Sequence, residues 1–257
     1  MHKIVTPVSH LFFNKKNAEK ISKHSDFLEI RYRTINLKFK KEKFFHCDED
    51  LTLPWSIKLK KNLEQILKKK KNLRYLTFQS TRCCADEKLH EKIFRLSGKK
   101  FNKIEMLNEG KKNTLWLRQK FGDNFIIGLE NNNYYPTKAY DIITDAGFIS
   151  QVVRENNLFF LFDLAHAQVT ASNQNVNYEK YLEKLPLDLM MQIHICRPKI
   201  NKKMSYDAHN LPNKKMLEEV KFLANKYKKL KFFTIEYYKD TEKLVQNIKD
   251  LRSIINI

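Results

Sequence analysis

Five apolar residues, Leu158–Phe162, run straight into Asp163, and His166 follows three positions later. A run of that kind belongs inside a protein, where an unpaired charge is costly. The pair therefore needs a partner: a metal ion, a reacting proton, or each other as a buried ion pair. The same ending recurs along the chain. KFF leads to His46, FIIGL to Glu130 and three asparagines (131–133), MMQI to His194, and KFFTI to Glu236. Asp207 and His209 stand two apart in the long segment 197–213, close enough to share an ion. Imidazoles and carboxylates are acid–base groups and hard-to-borderline metal ligands. The eight together, His46, Glu130, Asp163, His166, His194, Asp207, His209 and Glu236, exceed the four to six ligands of one ion, so two or three ions are expected. Glu130, Asp163 and His194, at successive strand ends, are the expected catalytic groups.

Each residue also has an ordinary reading. Asp207 and His209 could be turn residues before Asn210 and Pro212, and Glu130 or Glu236 could pair with a lysine at a strand end. His2, His10, His24 and His90 read as surface or hydrogen-bonded core residues. Cys47, Cys83, Cys84 and Cys196 read as small packing residues near strand ends. What lifts the set is its recurrence at the ends of five β-rich runs.

Eight such runs supply those ends: 3–9, 26–32, 43–47, 73–80, 125–131, 158–166, 190–196 and 231–238. Amphipathic, lysine-rich stretches predicted as helices lie between most of them, over 15–24, 57–71, 86–96, 112–120, 138–156, 177–184, 213–229 and 240–255. Leu59, Leu63, Ile66 and Leu67 form one helical stripe. The link between the second and third runs shows no obvious helix, and 197–213 reads as a loop. Alternating strand and helix implies parallel strands, and eight units in 257 residues point to one (β/α)8 TIM barrel over 1–257. An open sheet is the runner-up. In a barrel all C-terminal strand ends surround one mouth, and period-two alternation sets Gly128, Gln192 and Thr234 one layer below Glu130, His194 and Glu236.

Composition narrows the classes. The four cysteines have no CxxC spacing, no run of about 18 apolar residues suggests a membrane span, and the N-terminus lacks a signal-peptide pattern. A cytoplasmic protein is expected. The net charge of +20 suits an acidic partner. Yet 40 of the 49 basic residues are lysines, most in helical segments, whereas nucleic-acid recognition leans on arginine forks. A solvated lysine face is the simpler reading, and nucleic acid is disfavoured as a partner.

GLENNNYY, DAGFISQVVRENNLFFLFDLAHAQVTASN, KYLEKLPLDLMMQIHI, YDAHN and TIEYY together resemble the multinuclear non-heme iron-dependent oxidative enzymes, the family of the methanobactin-biosynthesis oxidase. The resemblance covers residues 26–251 and is most specific over 126–209. It implies a xylose-isomerase-like barrel holding two or three irons, with zinc or manganese as alternatives. It also implies oxidation by O2 of a cysteine in a ribosomally made precursor peptide, which a partner protein often presents. His46 stands at the family's strand-three histidine, Glu130 in its EN motif, Asp163 at its strand-six aspartate and His194 in its IH motif. Asp207 and His209 match its D-x-H and Glu236 its last glutamate. His166 stands where many members have Asn and others His. Two departures are visible: Ser80, Thr81, Arg82 and Cys83 stand where many members carry a histidine, and Arg197 and Pro198 stand where many carry a second one after IH. Arg31, Arg33, Arg82 and Asn131 are expected to orient the peptide.

Other classes give rivals. FDLAHA and YDAHN also resemble the LDTCHA and D-x-H motifs of endonuclease IV, a metal-dependent phosphodiesterase. A sugar isomerase and a degenerate barrel that binds metal or peptide without turnover complete the set.

Overall fold

The computed structural model describes residues 2–255. Strand β1 (Lys3–Pro7) leads through α1 (Lys15–His24) to β2 (Phe27–Ile30), and a single 3-10 turn, Tyr32–Thr34, precedes β3 (Glu42–Asp50). Next come α2 (Ile57–Lys69), β4 (Tyr75–Gln79), a hairpin of β5 (Lys88–His90) and β6 (Ile93–Arg95), and α3 (Lys103–Phe121). β7 (Ile126–Glu130), α4 (Ala146–Glu155), β8 (Phe159–Asp163), α5 (Leu164–Gln174) and α6 (Tyr178–Leu182) lead to β9 (Met190–Ile195). A second hairpin, β10 (Arg197–Lys199) with β11 (Tyr206–Asn210), precedes α7 (Lys214–Lys226), β12 (Phe232–Ile235) and α8 (Thr241–Ile255).

Eight strands close in the order β1-β12-β9-β8-β7-β4-β3-β2, every neighbouring pair parallel. This is the expected (β/α)8 barrel, and all eight predicted runs are barrel strands. Phe160 and Phe162 of β8 face the helices, while Asp163 lies at the strand's C-terminal end. The lysine-rich helices bury their apolar stripes as read: Leu63 and Leu67 of α2 are buried, with Leu59 and Ile66 partly so.

Low in the barrel, Val5, Phe44 and Phe232 form an apolar plug with Phe27, Tyr75 and Met191 around it. Phe44 stacks on Tyr75 at 4.3 Å between centroids and meets Phe232 edge-on at 4.9 Å. Gly128 is required here, because a Cβ would lie 2.5 Å from the Phe159 ring. The floor under the mouth is thus dry and close-packed.

Four stretches need correction. Residues 86–96, predicted as a helix, form the β5–β6 hairpin: Glu91 and Lys92 turn through positive φ (51° and 66°), which a helix cannot contain. Residues 197–213 are not a structureless loop but carry the β10–β11 hairpin. The helix within 138–156 occupies only Ala146–Glu155, capped by Asp145, and a further helix, α5, follows β8 without any break. In α3 the predicted stretch extends back to Lys103, where Asn102 and Glu105 form a capping box.

Emptying the plug by Phe44→Ala should lower stability by about 3–5 kcal/mol, because the ring's neighbours cannot collapse within a closed barrel. Urea denaturation with an unchanged m-value would record it.

Candidate metal centre

The C-terminal strand ends carry the chemistry, and each side chain there is fixed by its own element. Asp163 ends β8 and also N-caps α5, its Oδ1 accepting from the His166 backbone N–H at 2.7 Å. That cap points Oδ2 away from the helix, and Oδ2 is buried with no hydrogen-bond partner. His166, in the first turn of α5 rather than in a turn beyond the strand, has Nδ1 2.8 Å from the Asn131 carbonyl. Its Nε2 lies 3.9 Å from Asp163 Oδ2 and 3.8 Å from Asp207 Oδ2.

His194 occupies the middle. Its Nδ1 lies 3.0 Å from Glu130 Oε1, 3.5 Å from Glu236 Oε1 and 3.9 Å from Asp163 Oδ2, with none of them in hydrogen-bond geometry. On the other ring edge Nε2 is 3.3 Å from Glu29 Oε2. His46 has Nδ1 3.0 Å from the Thr77 hydroxyl, and its Nε2, which the Gln79 amide meets at 3.0 Å, lies 3.5 Å from Glu130 Oε2. On β11, Asp207 and His209 alternate onto one face, with His209 Nε2 3.0 Å from Asp207 Oδ2 and 3.4 Å from Glu236 Oε2. His209 has φ of +43°, a strained backbone for a histidine that serves to aim its ring.

All eight residues singled out in the sequence thus come together at one mouth. Their ligand atoms fall into overlapping groups, each within 4.8 Å: Glu130, Asp163 and His166; Asp163, His194 and Glu236; and, with residues not anticipated, Glu29, His46 and His194, and Cys196, Asp207 and Glu236.

The electrostatics fit a cation. Burial pushes Asp163 up to about 7, with Glu130, Glu236 and Asp207 adding repulsion that His166 only partly relieves. Burial would lower His166, yet Asp163, Glu130 and Asp207 bring it up to about 9. Burial would raise Glu29 and Glu130, but His194 and Arg31 beside the first, and His46 and His194 beside the second, hold each at about 2. His46 is lowered by burial and by Arg31, which favours the neutral imidazole. Asp163 Oδ2 and His194 Nδ1, both buried without a hydrogen bond, lie 3.9 Å apart in a carboxylate-rich space, and that donor set of imidazole and carboxylate suits iron, zinc or manganese.

The groups expected to meet a peptide are placed differently from one another. Arg31 is drawn into the cluster, its guanidinium bonding Glu29 Oε1 at 3.0 Å and also Glu236 Oε1. Asn131 is spent within the fold: its amide accepts from the Asp163 N–H and donates to the Asp163 carbonyl. Arg82 holds the carbonyls of Cys84 and Ala85, pairs with Glu87 and lies over the Phe94 ring, so it braces the β5–β6 hairpin. Arg33 stacks on Tyr238.

Sequence reading missed three members. Glu29 is fully buried, with Oε2 accepting from Gln192 at 2.8 Å; its signal was a carboxylate inside an apolar strand run, in phase with Arg31. Gln79 ends β4 with its amide N 3.0 Å from His46 Nε2 and 2.9 Å from Glu130 Oε2. Where the resemblance leads to a histidine after strand four, the side chain that reaches the cluster is therefore Gln79, while Ser80 and Thr81 tie the loop to Thr52 and Asp50. Tyr238 donates to Glu236 Oε1 at 2.9 Å.

Above the cluster opens a cavity of about 310 Å³, walled by Phe94, Tyr135 and Tyr140 with Lys92 at its rim and His166, His209, Glu130 and Glu236 among the groups that line it. A larger groove, about 830 Å³, lies over α2 and contains none of the clustered groups.

Residues 117–256 match the family described as RiPP precursor modification enzyme MbnB/TglH/ChrH. A UPF0276 protein of Caulobacter vibrioides is 29% identical over 84 residues, covering 33% of this chain and 30% of its own length. A UPF0276 protein of Paraburkholderia phytofirmans is 32% identical over 87 residues, covering 32% of this chain and 28% of its own. The matched stretch thus spans less than a third of these curated relatives. Among solved structures, the 3-keto-D-glucoside 4-epimerase YcjR of E. coli superposes with a TM-score of 0.61 at 15% identity, covering 98% of this chain and 100% of its own. A D-psicose 3-epimerase determined in the presence of D-fructose gives 0.65 at 10% identity, covering 99% and 100%. At these identities the likeness shows the fold alone, that of the xylose-isomerase-like barrels.

Asp163 sets a pH dependence. An unfolded aspartate loses its proton near pH 4 and the folded one near pH 7, so across that window metal-free stability falls as pH rises. Asp163→Asn should therefore raise the melting temperature of the chelated protein by several degrees at pH 8, with the gain vanishing toward pH 4. The same variant should lose metal affinity. Thermal melts with and without metal would record both.

Proposed function

The chain belongs to the RiPP precursor modification enzyme family MbnB/TglH/ChrH, and on that premise we propose that it is a multinuclear non-heme iron oxidase that uses O2 to oxidise a cysteine in a ribosomally made peptide. The observation that carries this reading is the convergence of four imidazoles and five carboxylates on one barrel mouth, with Asp163 Oδ2 and His194 Nδ1 left unpaired inside it.

In this reading His46, Glu130, Asp163, His166, His194, Asp207, His209 and Glu236 hold two or three ions, with Glu29 beside them. When bound, iron supplies the one-electron chemistry with O2 that no side chain in the cavity can perform. The protein's own contribution is placement and exclusion. Glu130 faces both His46 and His194, so it would serve as a ligand shared between ions held by either. Arg31 offsets the charge of Glu29 and Glu236 and also lines the cavity. A cavity of about 310 Å³ admits a cysteine side chain and its flanking backbone from an extended peptide. Phe94, Tyr135 and Tyr140 supply apolar walls that keep bulk water from the reacting sulfur. Lys92 at the rim suits a peptide carboxylate.

The family match supports peptide modification over a phosphodiesterase. Among the described residues no helix is long and apolar enough to cross a membrane.

The test is anaerobic iron loading followed by metal analysis and exposure to O2 with cysteine-containing precursor peptides. Bound iron and an O2-dependent mass change on the cysteine are expected. His194→Ala should reduce O2 uptake by at least about 100-fold, since it removes the central ligand. Less than about one ion per chain after loading would end the proposal and leave a non-catalytic barrel.

A further inference from the structure

Gln192, His194 and Cys196 follow one another at the period-two spacing of β9, and Cys196 is fully buried just past the strand's last residue. Its sulfur does not meet an apolar neighbour. Sγ lies 3.1 Å from Asp207 Oδ1, and Sγ with single oxygens of Asp207 and Glu236 falls within 4.8 Å. The opposite oxygen of Asp207 is 3.0 Å from His209 Nε2, which in turn is 3.4 Å from Glu236 Oε2.

We propose that Cys196 is a resident thiolate ligand, holding one transition-metal ion at the outer side of the cluster together with Asp207, His209 and Glu236. A tetrahedral ion with bonds of about 2.0–2.3 Å places its ligand atoms about 3.3–3.8 Å apart; the Cys196–Asp207, Asp207–His209 and His209–Glu236 contacts, at 3.1, 3.0 and 3.4 Å, lie near that range, and Cys196 and Glu236 lie within 4.8 Å. Beside it, in the neighbouring group that shares Glu236, Asp163 Oδ2 is fully buried with no hydrogen-bond partner.

The other three cysteines are a control within the same chain. Cys47 Sγ contacts the Tyr32 hydroxyl at 3.5 Å, and Cys83 and Cys84 donate to backbone carbonyls. None of these thiols is paired with a carboxylate; Cys196 alone sits in such a group among the described residues. On binding, the ion takes the position of the thiol proton, which leaves to solvent, so charge and atoms balance. A sulfur donor biases this position toward iron, cobalt or zinc and away from magnesium or calcium. The inference rests on the metal-centre reading above.

The probe is cobalt(II), added under anaerobic conditions to the chelator-stripped full chain, with absorbance and metal content followed together. Bound cobalt with a near-ultraviolet sulfur-to-cobalt charge-transfer band is expected. Cys196→Ser should lose that band while Cys47→Ser keeps it. Because serine still donates to Asp207, a merely structural Cys196 would leave the spectrum unchanged. Cobalt binding without the band in the wild type, or an unchanged band in Cys196→Ser, overturns the thiolate assignment and leaves the multinuclear reading standing. No cobalt bound by the wild type overturns both.

Discussion

Carboxylates crowded away from water are the constraint on which the rest of this molecule depends. Glu29, Glu130, Asp163 and Glu236 are each at most 3% exposed, and Asp207 closes the group from the side. Like charges so placed repel, and each has lost its hydration. The fold answers with its own cations and donors. Arg31 spans Glu29 and Glu236, Gln192 donates to Glu29, Gln79 to Glu130 and Tyr238 to Glu236. Imidazoles fill the gaps between them. The outer charge of +20 belongs mostly to lysines and leaves this interior balance to the local donors.

A closed barrel is what allows such crowding. Strand ends from β2, β3, β4, β7, β8, β9 and β12 converge because closure forces them to, and the plug around Phe44 prevents water from entering below. Positions are then fixed by small local devices. Asp163 is aimed by capping α5, His166 by the Asn131 carbonyl, and His209 by a left-handed backbone. Arg82 braces the β5–β6 hairpin, which brings Phe94 and Lys92 over the cavity.

Much of this is legible in the sequence, because a barrel puts chemistry at strand ends and strand ends are where an apolar run stops. His46, Glu130, Asp163, His194 and Glu236 announce themselves that way. Glu29 does not, since it lies inside DFLEIRY and reads as half-buried strand polarity until Arg31 and His194 close on it. Gln79 is silent because an amide carries no charge. The β5–β6 hairpin reads as a helix because its turn is Glu91–Lys92, not the Asn-Gly or Asp-Gly that ordinarily marks φ above zero. α5 is hidden because Asp163 ends a strand and caps a helix at once, leaving no turn residues between them.

The internal donors also sort the cluster. Arg31 and Gln79 satisfy the side facing β2, β3 and β4, where guanidinium and amide N–H groups already meet Glu29, Glu236, Glu130 and His46. Between β8, β9 and β12 Arg31 and Tyr238 donate to Glu236, but among the described residues no donor makes a hydrogen bond to the buried Asp163 Oδ2. A buried carboxylate oxygen without a donor costs more than a made hydrogen bond returns, and Asp163 Oδ2 stands in that position with His194 Nδ1 3.9 Å away. The demand for a cation is therefore not spread evenly over the mouth. In the proposed reading it is greatest beside Asp163 Oδ2, at the end of β8.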